Sequence, residues 1–231
     1  MKTFGCFVTG TDTGVGKSLV SSALLVQLAR QGRRCVGMKP VAAGTMLHQG
    51  QWMNEDVLQL QAAGNVDVPL ALQCPYLLHA PLSPHLAARA EACTISLDRL
   101  VSSYGQLARL ADAVVVEGAG GFRVPLTEGL DGADLAAAFG LPVILVVGVR
   151  LGCLNHALLT QEAILARGLP LAGWVASRID PDMAEPDANV EFLRQRLHAP
   201  MLGDIPWLEP ADMAAAARIA SPYLDISALL R

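Results

Sequence analysis

Lysine is nearly missing from this chain. Of its 17 basic residues only Lys2, Lys17 and Lys39 are lysines, so arginine carries almost all the positive charge. A lysine kept against that bias points to a use for a compact ammonium, which the planar guanidinium does not supply. Charge itself is scarce: charged residues make up 16% and the net charge is −4. That leaves no basic footprint for nucleic acid or an anionic membrane. Cysteine offers no framework either. Cys6, Cys35, Cys74, Cys93 and Cys153 are an odd, scattered set without a Cys-x-x-Cys. They predict reduced, mostly buried thiols in a cytoplasmic protein, not disulfides or a metal knot. The histidines show no ligand spacing, and His85 and His156 read as surface or satisfied structural groups. No apolar stretch approaches the roughly 18 residues of a membrane span, and Phe4 to Val8 is too short for the apolar centre of a secretory signal. Internal repeats, low-complexity stretches and linkers are missing as well.

What is present is apolar and periodic. Hydrophobic residues make up 52% of 231 residues, enough for one large domain over 1–231 built as a sheet covered on both faces by helices. The clearest motif is GTDTGVGKS, Gly10 to Ser18, entered from the apolar run Phe4 to Val8 and left through the helical run Leu19 to Arg30. Strand, glycine loop and helix in that order make a phosphate-binding loop. Glycines let backbone N–H groups approach phosphate oxygens, and the helix start adds unpaired N–H groups and a positive dipole end. Lys17 reaches terminal phosphates, and the Ser18 hydroxyl suits Mg²⁺. The loop is unusual in that Gly16 follows Gly10 by six positions instead of five, with Thr11 where a first glycine normally stands.

Further along, the pattern predicts strands at Cys35 to Met38, Ala113 to Val116, Pro142 to Val147, Leu171 to Ala176 and Met201 to Ile205. Helices are predicted from Asn54 to Ala63, Pro84 to Glu91, after Ser96, Gly132 to Phe139, Leu154 to Arg167, Asp187 to Leu197 and in the tail. Val41 to Thr45 reads as a loop, and Asp67 to Pro84 as a proline-rich irregular excursion with a short strand at best. Strand alternating with helix gives a mostly parallel α/β sheet of about seven strands, of the P-loop NTPase type. Ligands then gather at the carboxyl ends of the strands, which collects the Gly10 loop, Lys39, Glu117, Gly152, Ser177 and Pro206 on one edge.

At that edge Glu117, ending an apolar strand, suits a second oxygen for Mg²⁺. Asp56, in the first turn of a helix, is either a further ligand or a dipole partner. Lys39 is either a solvated strand-end lysine or a cation stabilising a transferring phosphoryl group. Arg150 to Cys153 opens a helix whose N–H groups could take a carboxylate, or is a plain connection. Trp207 either walls a base pocket or packs in the core.

Taken together these residues resemble the dethiobiotin synthetase family. The matching segments are FVTGTDTGVGKS, GMKPVAAG, VVVEGAGG, PVILVVGVRLGCLNHALLT, LAGWVAS and LGDIPWL, in order along nearly the whole chain. The lengthened phosphate loop fits this family. The resemblance implies a homodimeric ligase of biotin synthesis that uses ATP and Mg²⁺ to close a cyclic urea from CO₂ and 7,8-diaminononanoate. Carried over by position, Gly14, Val15, Gly16, Lys17, Ser18 and Leu19 hold the ATP phosphates. Ser18, Asp56 and Glu117 face the metal, with Lys39, Lys17 and Thr13 catalytic. Glu117, Gly118, Ala119, Gly120, Ser177, Arg178, Pro206, Trp207 and Leu208 border the nucleotide. Thr13, Lys39 and Ala43 border the substrate, whose carboxylate is taken by Gly152, Cys153 and Asn155 across the dimer interface.

Three positions depart from the family pattern. Gly14 stands where the family also carries an acidic residue, Ala43 replaces a serine, and Ser177 replaces an asparagine that reads the adenine edge. The last predicts weak selectivity for ATP over other nucleoside triphosphates. Two other readings fit the loop less well. A P-loop switch of the partitioning or GTPase type would carry an Asn-Lys-x-Asp motif or a second lysine early in the loop, and neither is present. An amidating synthetase of the cobyrinate type would need a glutaminase domain for which 231 residues leave no room.

Overall fold

A computed structural model describes residues 3–209 and 213–230. In chain order the elements are β1 (Phe4–Gly10), α1 (Lys17–Arg30), β2 (Cys35–Met38), β3 (Val41–Ala43), β4 (Met46–His48) and β5 (Gln51–Met53). Then come α2 (Glu55–Ala63), α3 (Leu70–Gln73), β6 (Tyr76–Leu78), α4 (Pro84–Ala90), α5 (Leu97–Leu110), β7 (Ala113–Gly121) and α6 (Gly132–Phe139). The chain continues through β8 (Val143–Val149), α7 (Cys153–Ala166), β9 (Leu171–Arg178), α8 (Pro186–Arg196), β10 (Met201–Ile205) and α9 (Met213–Ala220), followed by two short 3₁₀ turns.

Six strands form one sheet in the order β10-β9-β8-β1-β7-β2, and every pairing in it is parallel. Its strands read as unbroken apolar runs because both faces are covered. Alternation along each strand sorts them: Phe7, Val114, Val116, Leu145 and Val147 face one core, with α4 to α8. Cys6, Val8, Val115, Ile144 and Val146 face the other, with α1, Leu60 of α2 and the C-terminal turns. The chain leaves β1 toward β2 at one edge and leaves β8 toward β9 at the other. The carboxyl ends of these adjacent strands therefore open a crevice, the place where ligands bind in open α/β sheets.

The element list departs from the sequence reading in the segment between β2 and α5. Val41–Ala43 is a strand, paired in parallel with Tyr76–Leu78. The proline-rich stretch thus contributes a helix and a strand, and its prolines fall at or beyond their ends. Met46 to Met53 is an antiparallel hairpin turned at Gln49 and Gly50, both with positive φ, as a tight type I′ turn requires. β7 runs past Glu117 to Gly121. His85 differs too: its Nδ1 is buried without a hydrogen-bond partner among the described residues. The Asn54 cap is as expected, its side chain accepting from the N–H groups of Asp56 and Val57.

α2 rests on β2 through a very close approach. A Cβ at Gly37 would lie 2.7 Å from Leu60 Cβ and 3.0 Å from Leu25 Cδ1. Leu60 Cβ is tied to the α2 backbone, so relief requires moving the helix that carries Asp56. Gly37→Ala is expected to lower stability by about 1–3 kcal/mol through overpacking, read as a lower Tm with the far-UV spectrum unchanged.

Candidate active site

The loop after β1 is built around one buried side chain. Thr11 N–H donates to the carbonyl of Val146 at 3.0 Å, extending the β1–β8 ladder by one bond. The chain then wraps over Val15, which is buried. Val15 fills space that only glycines leave open. A Cβ at Gly10 would sit 2.6 Å from Val15 Cγ2, and one at Gly148 would sit 2.8 Å from its Cγ1. Gly14 and Gly16 take φ of 74° and 90°, left-handed values that glycine adopts at no steric cost. The longer loop therefore keeps its essential small residue at Gly10, and Thr11 is free to be a threonine.

Lys17 opens α1, and its Nζ donates to the carbonyl of Asp12 at 2.9 Å. Burial, together with the nearby Lys39 charge, lowers its pKa to about 8, against the opposing pull of Glu117 and Asp56. A triphosphate seated in the loop would supply the missing negative charge.

Next to it lies a buried ionic cluster. The register of β2 against β7 pairs Met38 with Val116, so the residues that follow, Lys39 and Glu117, emerge side by side. Lys39 Nζ lies 2.6 Å from Glu117 Oε1 and 2.7 Å from Asp56 Oδ2. Ser18 Oγ sits 2.8 Å from both Asp56 Oδ1 and Glu117 Oε1. Lys39 is 3% exposed and Glu117 0%. Burial alone would lower the Lys39 pKa, but the two carboxylates outweigh it and hold the ammonium charged well above the usual lysine range. For Asp56, burial pushes up, and Lys39, Ser18 and Lys17 together pull its carboxyl below the usual range.

Ser18, Asp56 and Glu117 present hard oxygen donors, and Glu117 Oε2 is buried with no hydrogen-bond partner among the described residues. An orphaned carboxylate oxygen beside a hydroxyl and a second carboxylate fits Mg²⁺, which favours oxygen ligands and retains waters.

Two cavities meet at this cluster. One, of about 480 Å³, lies on the phosphate loop and includes Thr13, Gly14, Gly16, Lys17, Ser18, Leu19 and Leu208 in its lining. The other, of about 370 Å³, is bounded by Ala43, Ala119, Val124 and Pro81 to Pro84. Thr13, Lys39, Asp56 and Gly120 line both.

Not every expected residue reaches these cavities. Ser177 is buried against the loop, where a Cβ at Gly16 would lie 2.5 Å from its Oγ. Gly118 offers its carbonyl to Lys39 Nζ at 3.4 Å. Arg178 points elsewhere, its Nη2 bound to Asp204 at 2.7 Å and Asp187 at 2.6 Å. Trp207 is 46% exposed, which removes the core-packing alternative; neither it nor Pro206 lines the phosphate-loop cavity, whereas Leu208 does. Gly152, Cys153 and Asn155 stand at the start of α7 and line neither cavity. Sequence reading missed Glu55, Gln59 and Glu209 in the first cavity and the Pro81 to Pro84 wall of the second. Gln59 was within reach of pattern reading, because it lies three residues beyond Asp56 on the same helix face. The proline wall carried no chemical signal.

Known proteins match both the sequence and the fold. A family model described as an AAA domain matches residues 5–215. Among solved structures, a chain of the MinC:MinD cell division protein complex of Aquifex aeolicus superposes with a TM-score of 0.60 at 15% identity, over 95% of this chain and 91% of that one. MinD of Pyrococcus horikoshii with Mg-ADP gives 0.58 at 16% identity over 96% and 94%, and FtsY of Thermotoga maritima 0.52 at 16% over 95% and 68%. These share the P-loop NTPase fold. The ATP-dependent dethiobiotin synthetase BioD of Ralstonia nicotianae is 56% identical over 227 residues, covering 98% of this chain and 97% of that protein. At that identity and coverage, this chain belongs to the dethiobiotin synthetase family.

Proposed function

We propose that this chain, as a single α/β domain, carboxylates 7,8-diaminononanoate and closes it to dethiobiotin with ATP and Mg²⁺, releasing ADP and phosphate. The observation that carries this reading is the cluster of Lys39, Asp56, Glu117 and Ser18 where the two cavities meet. One cavity takes a nucleotide, the other a small diamine, and the reacting atoms meet between them.

In this reading CO₂ adds to one amine and a proton leaves, giving an anionic carbamate. Lys39 and the backbone beside Thr13 hold that anion against Gly120. Lys17 and the N–H groups of the Gly14 to Leu19 turn orient the triphosphate so that a carbamate oxygen lies in line with the terminal phosphorus. Mg²⁺, held by Ser18, Asp56 and Glu117, would neutralise phosphate charge. The carbamate oxygen displaces ADP, forming a carbamic–phosphoric anhydride. The second amine attacks its carbonyl carbon, phosphate leaves and the urea ring closes. Catalysis of this kind rests on positioning and charge stabilisation.

Gly152, Cys153 and Asn155 enter only if a second copy of the chain brings its α7 start to the diamine cavity. Leu151 beside them is 92% exposed, which supports a homodimer. Five free cysteines and the lack of a helix long and apolar enough to cross a membrane among the described residues support a cytoplasmic enzyme. The partners are small molecules, with neither nucleic acid nor membrane among them. Ser177, with a short hydroxyl at the nucleotide edge, supports use of nucleoside triphosphates besides ATP.

Phosphate release is expected to require both bicarbonate and the diamine, to yield a cyclic urea, and to proceed with CTP or GTP within about tenfold of ATP. Release indifferent to the diamine would instead point to a P-loop switch acting through protein partners. Lys39→Ala is expected to keep ATP affinity and lose turnover by at least about a hundredfold, and retention of most of its kcat would refute the role. Lys17 also makes a proton-linkage prediction. With its pKa near 8 in the free protein, it is partly neutral at about pH 8.5, and bound phosphate raises it. ATP binding should then take up more than about half a proton at that pH and none near pH 6.5. Titration calorimetry in buffers of different ionisation enthalpy measures this.

A further inference from the structure

Arg150 and Asp12 lie 138 positions apart in sequence and meet across the crevice. The β1–β8 ladder ends at Gly10 and Val146, with the one added bond from Thr11. Beyond that point the two strands' exits diverge. There Arg150, just past β8, donates from Nη2 to Asp12 Oδ2 at 2.5 Å. The ion pair spans the opening where backbone pairing stops.

Asp12 lies in the lengthened part of the phosphate loop, and it touches what matters in that loop. Its Oδ1 accepts from the Thr13 N–H at 2.7 Å, and its carbonyl accepts from Lys17 Nζ. When Lys17 turns to a phosphate, the carbonyl contact is given up. Arg150 then remains as the anchor reaching Asp12 from outside the loop, and through Asp12 it fixes Thr13. We infer that Arg150 is a positioning residue for the nucleotide: it holds the phosphate loop open and in register without touching the phosphates. This rests on reading the loop as an ATP site.

Geometry separates this role from a purely structural one. The two side chains are 41% and 47% exposed, and exposed pairs of this kind add little to global stability. Arg150 should therefore matter more to nucleotide binding than to Tm. The contact also uses a single guanidinium nitrogen, so a lysine supplying the same charge should largely replace it.

The test is the Kd of ATP with Mg²⁺, by titration calorimetry, for the full chain and for R150M, R150K, D12N and R150M/D12N, each with its Tm. R150M and D12N should each weaken ATP binding about fivefold, with Tm nearly unchanged. R150K should return to within about twofold of the wild type, and the double variant should be no weaker than either single one. In steady state, R150M should raise the KM for ATP more than the KM for the diamine, whose cavity meets this loop only at Thr13. R150M binding ATP as tightly as the wild type, R150K as weak as R150M, or additive losses in the double variant would each overturn the inference alone. A wild-type chain that binds no nucleotide would overturn the functional reading and this inference with it.

Discussion

A lysine ammonium held inside the protein between two carboxylates is the constraint to which the rest of the structure answers. An unpaired ion at the depth of Lys39 or Glu117 costs several kcal/mol. The cluster is tolerable because one cation, two anions, the Ser18 hydroxyl and the Gly118 carbonyl lie within hydrogen-bond distance of one another, with Glu117 Oε2 alone left unpaired among the cluster's carboxylate oxygens. That demands accuracy from elements far apart in sequence. β2 must lie beside β7 in one register, α2 must seat on Gly37 to deliver Asp56, and α1 must start at Lys17 to deliver Ser18. The sheet is the frame that makes those positions coincide.

The same cluster joins the two halves of the chemistry. Lys39 and Asp56 line both the cavity on the phosphate loop and the cavity on β3 and the α4 start, Ser18 lines the first, and Glu117 lies buried behind them. Lys39 is the cation that lines both cavities, which is why the proposed mechanism gives it both the transferred phosphoryl and the carbamate. Two of the chain's three lysines stand at this point, where a compact cation suits the space.

Much of this was legible in the sequence. The phosphate loop, the Cys35–Met38, Gly132–Phe139 and Met201–Ile205 elements and the Asn54 cap each had a local cause, either hydrophobic periodicity or a capping side chain. Ser18, Lys39, Asp56 and Glu117 could be singled out because each stands at a loop, strand end or helix start. What stayed hidden depends on pairing between distant segments. β3 and β6 are three residues each and pair only with one another among the described residues, so neither has a signature alone. Arg178 enters as a nucleotide contact only through the family resemblance, and in the structure its guanidinium pairs with Asp187 and Asp204. Neither acid is a neighbour in sequence. Arg150 was hidden for the same reason, its meaning lying in Asp12 across the crevice.

Gly16 and Ser177 carry a consequence for changing base preference by design. Ser177 stands near the carboxyl end of β9, the position proposed to border the base, and its hydroxyl occupies the space a side chain at position 16 would need. Gly16 is locked by its backbone angle as well as by that contact. Neither residue can be enlarged toward the other. A library that varies position 177 alone will therefore select side chains that grow away from the loop, and those that grow toward it will lose their grip on the triphosphate before any gain in base discrimination is seen. Positions 16 and 177 are sterically coupled, and evolved or engineered variants have to move them as a unit.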